Sequence, residues 1–274
     1  MTRTLTTDPL RATVARLDTA IGWLSLRVGL PADASTWTLC ADVDASYLAD
    51  WESRMSGAIA RTYGRTHPMT TSGFCLDGYA AIPGGVGGAA FRLARRVPRL
   101  DRSSLAFSRH PAEHHPDGIA LLDPRFWCLP DDPDADHPAA TVVDDEAALA
   151  AELRRQVRAH ADDFLAGYRG GARLPRRGLL GSFYDALDTG VWYGGDPDDP
   201  GVVGEGAVVL PGATAQFADA SSLHRLVDAR DRAHVARRRV GCCYYFKVSE
   251  DGRPCSTCPR VDDAERVQRY AEID

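Results

Sequence analysis

Four of the seven cysteines fall in one short stretch: Gly241-Cys242-Cys243, an eleven-residue spacer, then Cys255-Ser-Thr-Cys258-Pro259. Thiolate is the soft ligand of zinc, copper(I) and iron–sulfur clusters, and four thiols this close in sequence read as one metal or cluster site. Cys255 and Cys258, at i and i+3, suit a tight turn that presents both sulfurs to one side, with Pro259 at its exit. Cys242 and Cys243 are adjacent, and adjacent side chains on extended backbone point to opposite faces, so their convergence requires a kink that Gly241 could permit. Two irons sharing four thiolates relax that demand. A [2Fe-2S] cluster therefore ranks above a mononuclear zinc, whose ligand pairs are usually spaced by two to four residues.

The spacer opens with the aromatic run Tyr244-Tyr245-Phe246 and ends through Asp251-Gly252, which is a hairpin signal that would return the chain to the first pair. Charge is concentrated in the same place. From Arg225 to Arg260 there are nine basic residues against four acidic ones, whereas the whole chain carries a net charge of -6. Guanidinium groups beside a thiolate-ligated cluster would stabilise its reduced, more negative form, which makes Arg237, Arg238 and Arg239 candidates for tuning the potential or contacting substrate, together with Tyr244 and Tyr245. The plainer reading of the three arginines is a solvated last helical turn; that of Tyr244 to Phe246 is a strand with alternate side chains in the core.

At these residues, about 237 to 260, the chain resembles the siderophore-iron reductases of the FhuF type, whose C-terminal domain holds a [2Fe-2S] cluster on a Cys-Cys-x10-Cys-x2-Cys pattern. The spacer here is one residue longer, and the Glu250-Asp251-Gly252 turn is the place that absorbs an extra residue most easily. The resemblance implies cluster ligands Cys242, Cys243, Cys255 and Cys258, and a one-electron reduction of a ferric siderophore in the cytoplasm. The electron donor would be ferredoxin-like or a flavoprotein. No Ser-His-Asp arrangement and no flavin or nicotinamide fingerprint competes with that reading. The alternative is a non-catalytic module: an iron–sulfur electron carrier or redox sensor, or a structural four-cysteine zinc domain.

Composition agrees with a soluble protein of 274 residues, 44% hydrophobic and 26% charged, with neither a signal peptide nor a transmembrane helix expected. Acidic net charge argues against a nucleic-acid partner. Cys40, Cys75 and Cys128 lie among apolar residues and read as buried thiols of a reducing compartment.

The elements that must position the cysteines are mostly helical. Asp8-Pro9 opens an amphipathic helix running to Gly29, and a second spans about Ala45 to Thr62 with Gly64 as its stop. Residues Thr70 to Ile82 form a third, which Pro83-Gly84-Gly85 breaks before another from Ala89 to Val97. The glycine-rich Gly84 to Gly88 lacks the spacing and lysine of a phosphate loop. Ser104 to Ser108, Gly118 to Leu122 and Phe126 to Cys128 are strands of a small antiparallel sheet, with His110, Glu113, His114 and His115 in a polar turn whose spacing fits no standard metal site.

A Pro/Asp-rich loop at Asp131 to Pro138 divides an N-terminal α+β region, 1–138, from a mainly helical region, 139–274, that carries the motif at 237–260. The second region is read as a long helix from Asp144, a shorter one over Leu179 to Leu187, and a loop from Gly190 to Pro200 carrying Trp192 and Tyr193. Beyond these come extended pieces around Gly204-Glu205-Gly206, a helix from Ala218 to Arg239, and a final helix capped by Asp262 and Glu265. The fold class is α+β, mostly helical, with a small central antiparallel sheet and a C-terminal cysteine-ligated cluster hairpin.

Overall fold

In the computed structural model, which describes residues 8–193 and 199–273, the chain opens with α1 (Leu10–Ala20), where the Asp8 carboxylate accepts from the Leu10 amide at 2.9 Å. Strands β1 (Ser25–Val28) and β2 (Trp37–Leu39) lead to α2 (Ala45–Tyr63), capped by Asp44 and stopped by Gly64 in the left-handed region at φ 69°. Next come α3 (Pro68–Ala94), β3 (Arg96–Pro98), β4 (Leu105–Arg109), β5 (Pro116–Leu121), β6 (Phe126–Cys128), β7 (Ala140–Val142) and α4 (Glu146–Gly167). The remainder is α5 (Arg176–Tyr193), α6 (Gly201–Val209), β8 (Leu223–Val227), β9 (Ala233–Arg237) and α7 (Asp263–Ile273).

The α+β class holds, and the three central strands stand where their short apolar runs place them. The sheets are mixed rather than simply antiparallel. One has the order β1-β5-β4-β2 with β1 and β5 parallel; a second is β3-β6-β7 with β6 and β7 parallel; β8 and β9 form a separate antiparallel hairpin. The histidine-rich segment is the turn between β4 and β5, with His110 stacked on His115 and its Nδ1 accepting from the Glu113 amide at 3.1 Å.

Helix α3 is the centre of the fold and departs most from expectation. It runs unbroken through Pro83 and the glycine cluster, against α1, α2, α4 and α5. A proline inside a helix removes one backbone bond and disfavours the preceding turn, but burial of the helix along most of its length outweighs that local cost. The glycines serve close packing. A Cβ at Gly84 would lie 2.6 Å from the Ala186 Cβ, one at Gly88 would lie 2.6 Å from the Leu187 carbonyl oxygen, and one at Gly190 would strike the Gly85 carbonyl. Helices α3 and α5 therefore touch backbone to backbone. The expected helix break, and any phosphate-loop role for these glycines, give way to a helix–helix contact.

Three further expectations are corrected. Residues 218–239 are not a helix: the Asp228 carboxylate accepts from the amides of Arg230 and Arg232, at 2.8 and 3.0 Å, and reverses the chain between β8 and β9 with Asp231 at φ 59°. The pieces around Gly204–Gly206 are the helix α6, whose first amide bonds to the Asp199 carboxylate at 2.8 Å and whose Gly206 lies against Ser221. Trp192 and Tyr193 end α5, which is longer than expected at both ends; the rest of the expected loop over 194–198 lies outside the described residues. A single cluster of buried apolar side chains runs from Leu10 to Val248.

Within that core His160 of α4 bridges the Leu100 carbonyl (2.6 Å) and the Tyr79 hydroxyl (3.0 Å), and burial pushes its pKa down to about 4. Because the folded state refuses a proton that the unfolded chain takes up near pH 6.5, stability should be full above that pH. It should then fall by on the order of 3 kcal/mol as pH drops towards 4. Urea titrations at pH 7 and pH 4.5 should show this loss, and His160→Gln should remove a large part of it; an equal loss in the variant would assign the effect elsewhere.

Candidate functional site

The chain reaches the cysteines by crossing α5. Its anchor is Asp185, buried on that helix, whose carboxylate accepts from the backbone amides of Val240 and Gly241, both at 2.8 Å, and from Arg239 Nε at 3.3 Å. Burial pushes this carboxyl above its ordinary pKa, against the opposing pull of Arg239, Arg237 and the two amides. One turn further along α5, Asp188 accepts from the hydroxyl and amide of Ser222 and the hydroxyl of Ser221, at 2.7 to 2.8 Å, and so fixes the start of β8.

Two glycines let the backbone sit close to the helices on either side. A Cβ on Gly181 of α5 would lie 3.2 Å from Val240 Cγ1, and one on Gly73 of α3 would lie 3.1 Å from the Cys243 carbonyl oxygen. Gly241 is needed for proximity, since its Cβ would stand 3.2 Å from Asp185 Oδ2, and it is not the residue that turns the chain. The turn is at Tyr244, in the left-handed region at φ 58°, where Thr70 Oγ1 donates to the Tyr244 carbonyl at 2.8 Å.

The spacer is a loop with one 3-10 turn, Tyr245–Lys247, and not the expected pair of strands; no ladder joins its two arms. Its aromatic residues follow that geometry: Tyr245 packs edge-on against Tyr63, with ring centres 5.5 Å apart, and Phe246 lies under the Arg260 guanidinium at 4.7 Å. Arg65 holds the loop by donating to the carbonyls of Val248 (3.2 Å), Ser249 and Glu250 (3.3 Å).

The Cys-x-x-Cys turn closes through the Cys258 amide and the Cys255 carbonyl at 3.0 Å, and the Arg239 amide binds the Thr257 carbonyl at 2.9 Å. From α7, the fully buried Arg266 donates to the carbonyls of Ser256 (2.8 Å), Val261 (3.1 Å) and Cys258 (3.2 Å), and pairs with Asp263.

Held in this way, the four sulfurs adjoin one another. Cys242 Sγ is 3.9 Å from Cys258 Sγ, Cys258 neighbours Cys255, and Cys255 neighbours Cys243. Among the described residues no three His, Cys, Asp or Glu side chains are grouped as a bound metal ion would require. Hydrogen bonds from the Cys258 thiol, the Tyr244 amide (3.4 Å to Sγ) and Arg260 bring the Cys242 pKa down to about 6. Cys255 is lowered by bonds from Cys243, Cys258 and Thr257 and by the charge of Arg239; Cys243 and Cys258, as the donors of those bonds, are pushed up. Cys40, Cys75 and Cys128 are buried elsewhere, and burial raises all three, Cys40 to about 12 and Cys128 to about 11, as inert core thiols require.

The three candidate arginines part company. They do not form a solvated helical turn, because β9 ends at Arg237. Arg237 points into α5, donating to the Asp185 carbonyl (2.6 Å) and the Thr189 hydroxyl. Arg238 reaches the Pro259 carbonyl at 3.3 Å. Arg239 alone stands beside the thiols, with its charge shared between Asp185 and Asp77 of α3, the latter at 2.7 Å; Asp77 in turn takes a bond from Ser182 of α5 at 2.8 Å. Sequence reasoning missed Asp77, Asp185, Arg65, Arg260 and Arg266. No family model matches the chain, and no curated protein matches it.

Removing Asp185 leaves two buried amides and part of Arg239 without an acceptor. Asp185→Ala should cost on the order of 3 kcal/mol in urea denaturation and should speed alkylation of Cys242 in the metal-free protein. Wild-type values for both would show that the carboxylate does not hold the cysteine strand.

Proposed function

We propose that this protein is a cytoplasmic iron–sulfur reductase of ferric siderophores, with Cys242, Cys243, Cys255 and Cys258 holding a [2Fe-2S] cluster. The observation that carries the reading is that four thiols, from two short segments, adjoin one another. Two irons that share four thiolates accommodate the adjacent pair Cys242-Cys243 more easily than a single zinc, which asks for four ligands about one point. When bound, the cluster would supply single electrons at a potential set by the surrounding charge and hydrogen bonds.

The chain's own groups fit that role. The Tyr244 amide, Arg239 and Arg260 all oppose negative charge on the sulfurs. Tyr244, Tyr245 and Phe246 cover one side of the loop without closing it, since all three remain partly exposed. The substrate would be a ferric chelate: hard oxygen ligands hold Fe(III) much more firmly than Fe(II), so one electron from a ferredoxin-like or flavoprotein donor releases the metal and leaves the chelator intact.

Anaerobically purified protein should contain iron and sulfide, and serine at any of the four positions should abolish or strongly alter the visible spectrum while Cys40→Ser leaves it unchanged. Reduced protein mixed with ferric siderophores and a ferrous trap should reoxidise with about one ferrous ion released per cluster. Iron and sulfide without reoxidation by hydroxamate, catecholate or carboxylate chelates would make it an electron carrier or sensor; zinc without sulfide would make it a structural module.

The placement of the arginines refines the electrostatics. Arg239→Gln and Arg260→Gln should each lower the midpoint potential, because negative charge is then less compensated, whereas Arg238→Gln, directed at the Pro259 carbonyl, should change it little. Equal shifts for all three in protein-film voltammetry would mean that net charge, and not position, sets the potential.

A further inference from the structure

On the side of the molecule where β9 leads into the cysteine loop lies a cavity of about 1290 Å³, between the end of α4, the 173–181 segment, Phe217 to Asp219 and Val240. A second cavity of about 580 Å³ shares Arg177, Tyr184, Asp219 and Val240 with it and continues past Arg238, Arg239 and Pro259. The two form one trough. Two of its lining residues are close to the cysteines in the chain: Val240, two residues before Cys242, lines both cavities, and Pro259, directly after Cys258, lines the second.

The charges in this trough are unequal. Arg239 is already matched by Asp77 and Asp185. That leaves Arg158, Arg173, Arg176, Arg177 and Arg238 against Asp162, Asp219 and Asp263. Arg158 pairs with Asp162 at 2.9 Å, and Arg177 leans on Asp219 at 3.4 Å. Arg173 and Arg176 are exposed and have no hydrogen bond, ion pair or ring contact among the described residues. On a chain of net charge -6, two uncompensated guanidinium groups lining the 1290 Å³ cavity give it a local positive charge that would attract an anion. The floor is apolar, with Leu165, Leu174, Leu179, Leu180 and Phe217, so it suits flat hydrocarbon faces as well as charge.

We infer that this trough seats the ferric chelate and selects polyanionic, aromatic chelates of the tris-catecholate type over neutral or cationic hydroxamates. Arg173 and Arg176 would meet the catecholate oxygens, the leucines and Phe217 the rings, and the metal would lie on the Val240–Pro259 side nearest the cysteines. The inference rests on the reductase reading above, which names no site and no charge class.

Gallium(III) complexes test it, because they copy the ferric chelates in charge and shape and accept no electron. A hexadentate gallium tris-catecholate should bind the oxidised protein at least about tenfold more tightly than a gallium trihydroxamate, measured by calorimetry. Its affinity should fall with salt, and by at least about tenfold in the double variant Arg173→Glu/Arg176→Glu, whose positions have no partners to lose. Equal binding of the two gallium complexes, or unchanged affinity in the double variant, overturns the trough assignment, and reduction of ferric chelates by that same variant would leave the reductase reading standing. Charge-selective binding by the wild-type protein that is lost in the double variant supports the trough, and if the wild-type protein then reduces no ferric chelate it is the reductase reading that fails.

Discussion

A carboxylate placed away from water must be met by donors, and Asp185 meets this requirement with the backbone that leads into the cysteines. Two amides in succession bind its two oxygens, which fixes both the position and the direction of the strand just before Cys242. Asp188 does the same, one turn on, for the segment before β8. The two residues are spaced i and i+3 and so share a face of α5, from which the C-terminal unit is hung by its backbone. The side chains of Arg237 and Arg239 add to that attachment, and the cysteine side chains take no part in it.

The anchor is only as fixed as α5 itself. Because Gly84, Gly88 and Gly190 bring α3 and α5 into backbone contact, the two helices have little freedom to slide, and Gly73, Asp77, Gly181 and Asp185 keep their relative places. Ser182 and Asp77 add a direct bond across the pair. A site assembled from two such helices is preorganised in the sense that matters for holding sulfurs a few ångströms apart.

What the sequence disclosed follows from what kind of signal each feature leaves. Helices α1, α2 and α4 have one apolar face and a capping side chain, and strands β4 to β6 have short apolar runs between turns, so both are visible locally. Helix α3 is apolar nearly all round and crosses a proline, so its length is decided by burial, which no local pattern records. The β8–β9 hairpin hides behind helix-compatible arginines and alanines, and only the Asp228 turn distinguishes it. The cysteines declare themselves by type and spacing. Their supports do not: Asp185 is one of several acidic residues on its stretch, and Arg266 one of many arginines on a chain whose sole lysine is Lys247. Gly241 suggests a kink by its conformational freedom, but what the structure uses is its small size beside Asp185, and the chain turns at Tyr244 instead.

The residues that hold the cysteine segment lie on both sides of it in the chain. Arg65, Thr70, Asp77, Ser182 and Asp185 all precede the cysteines in the chain, and Arg266 and Arg269, which grip the Cys-x-x-Cys turn through its carbonyls, follow them. The surface on α3 and α5 that receives this segment therefore comes from chain that precedes Cys242, and the clasp on the turn between Cys255 and Cys258 comes from chain that follows it.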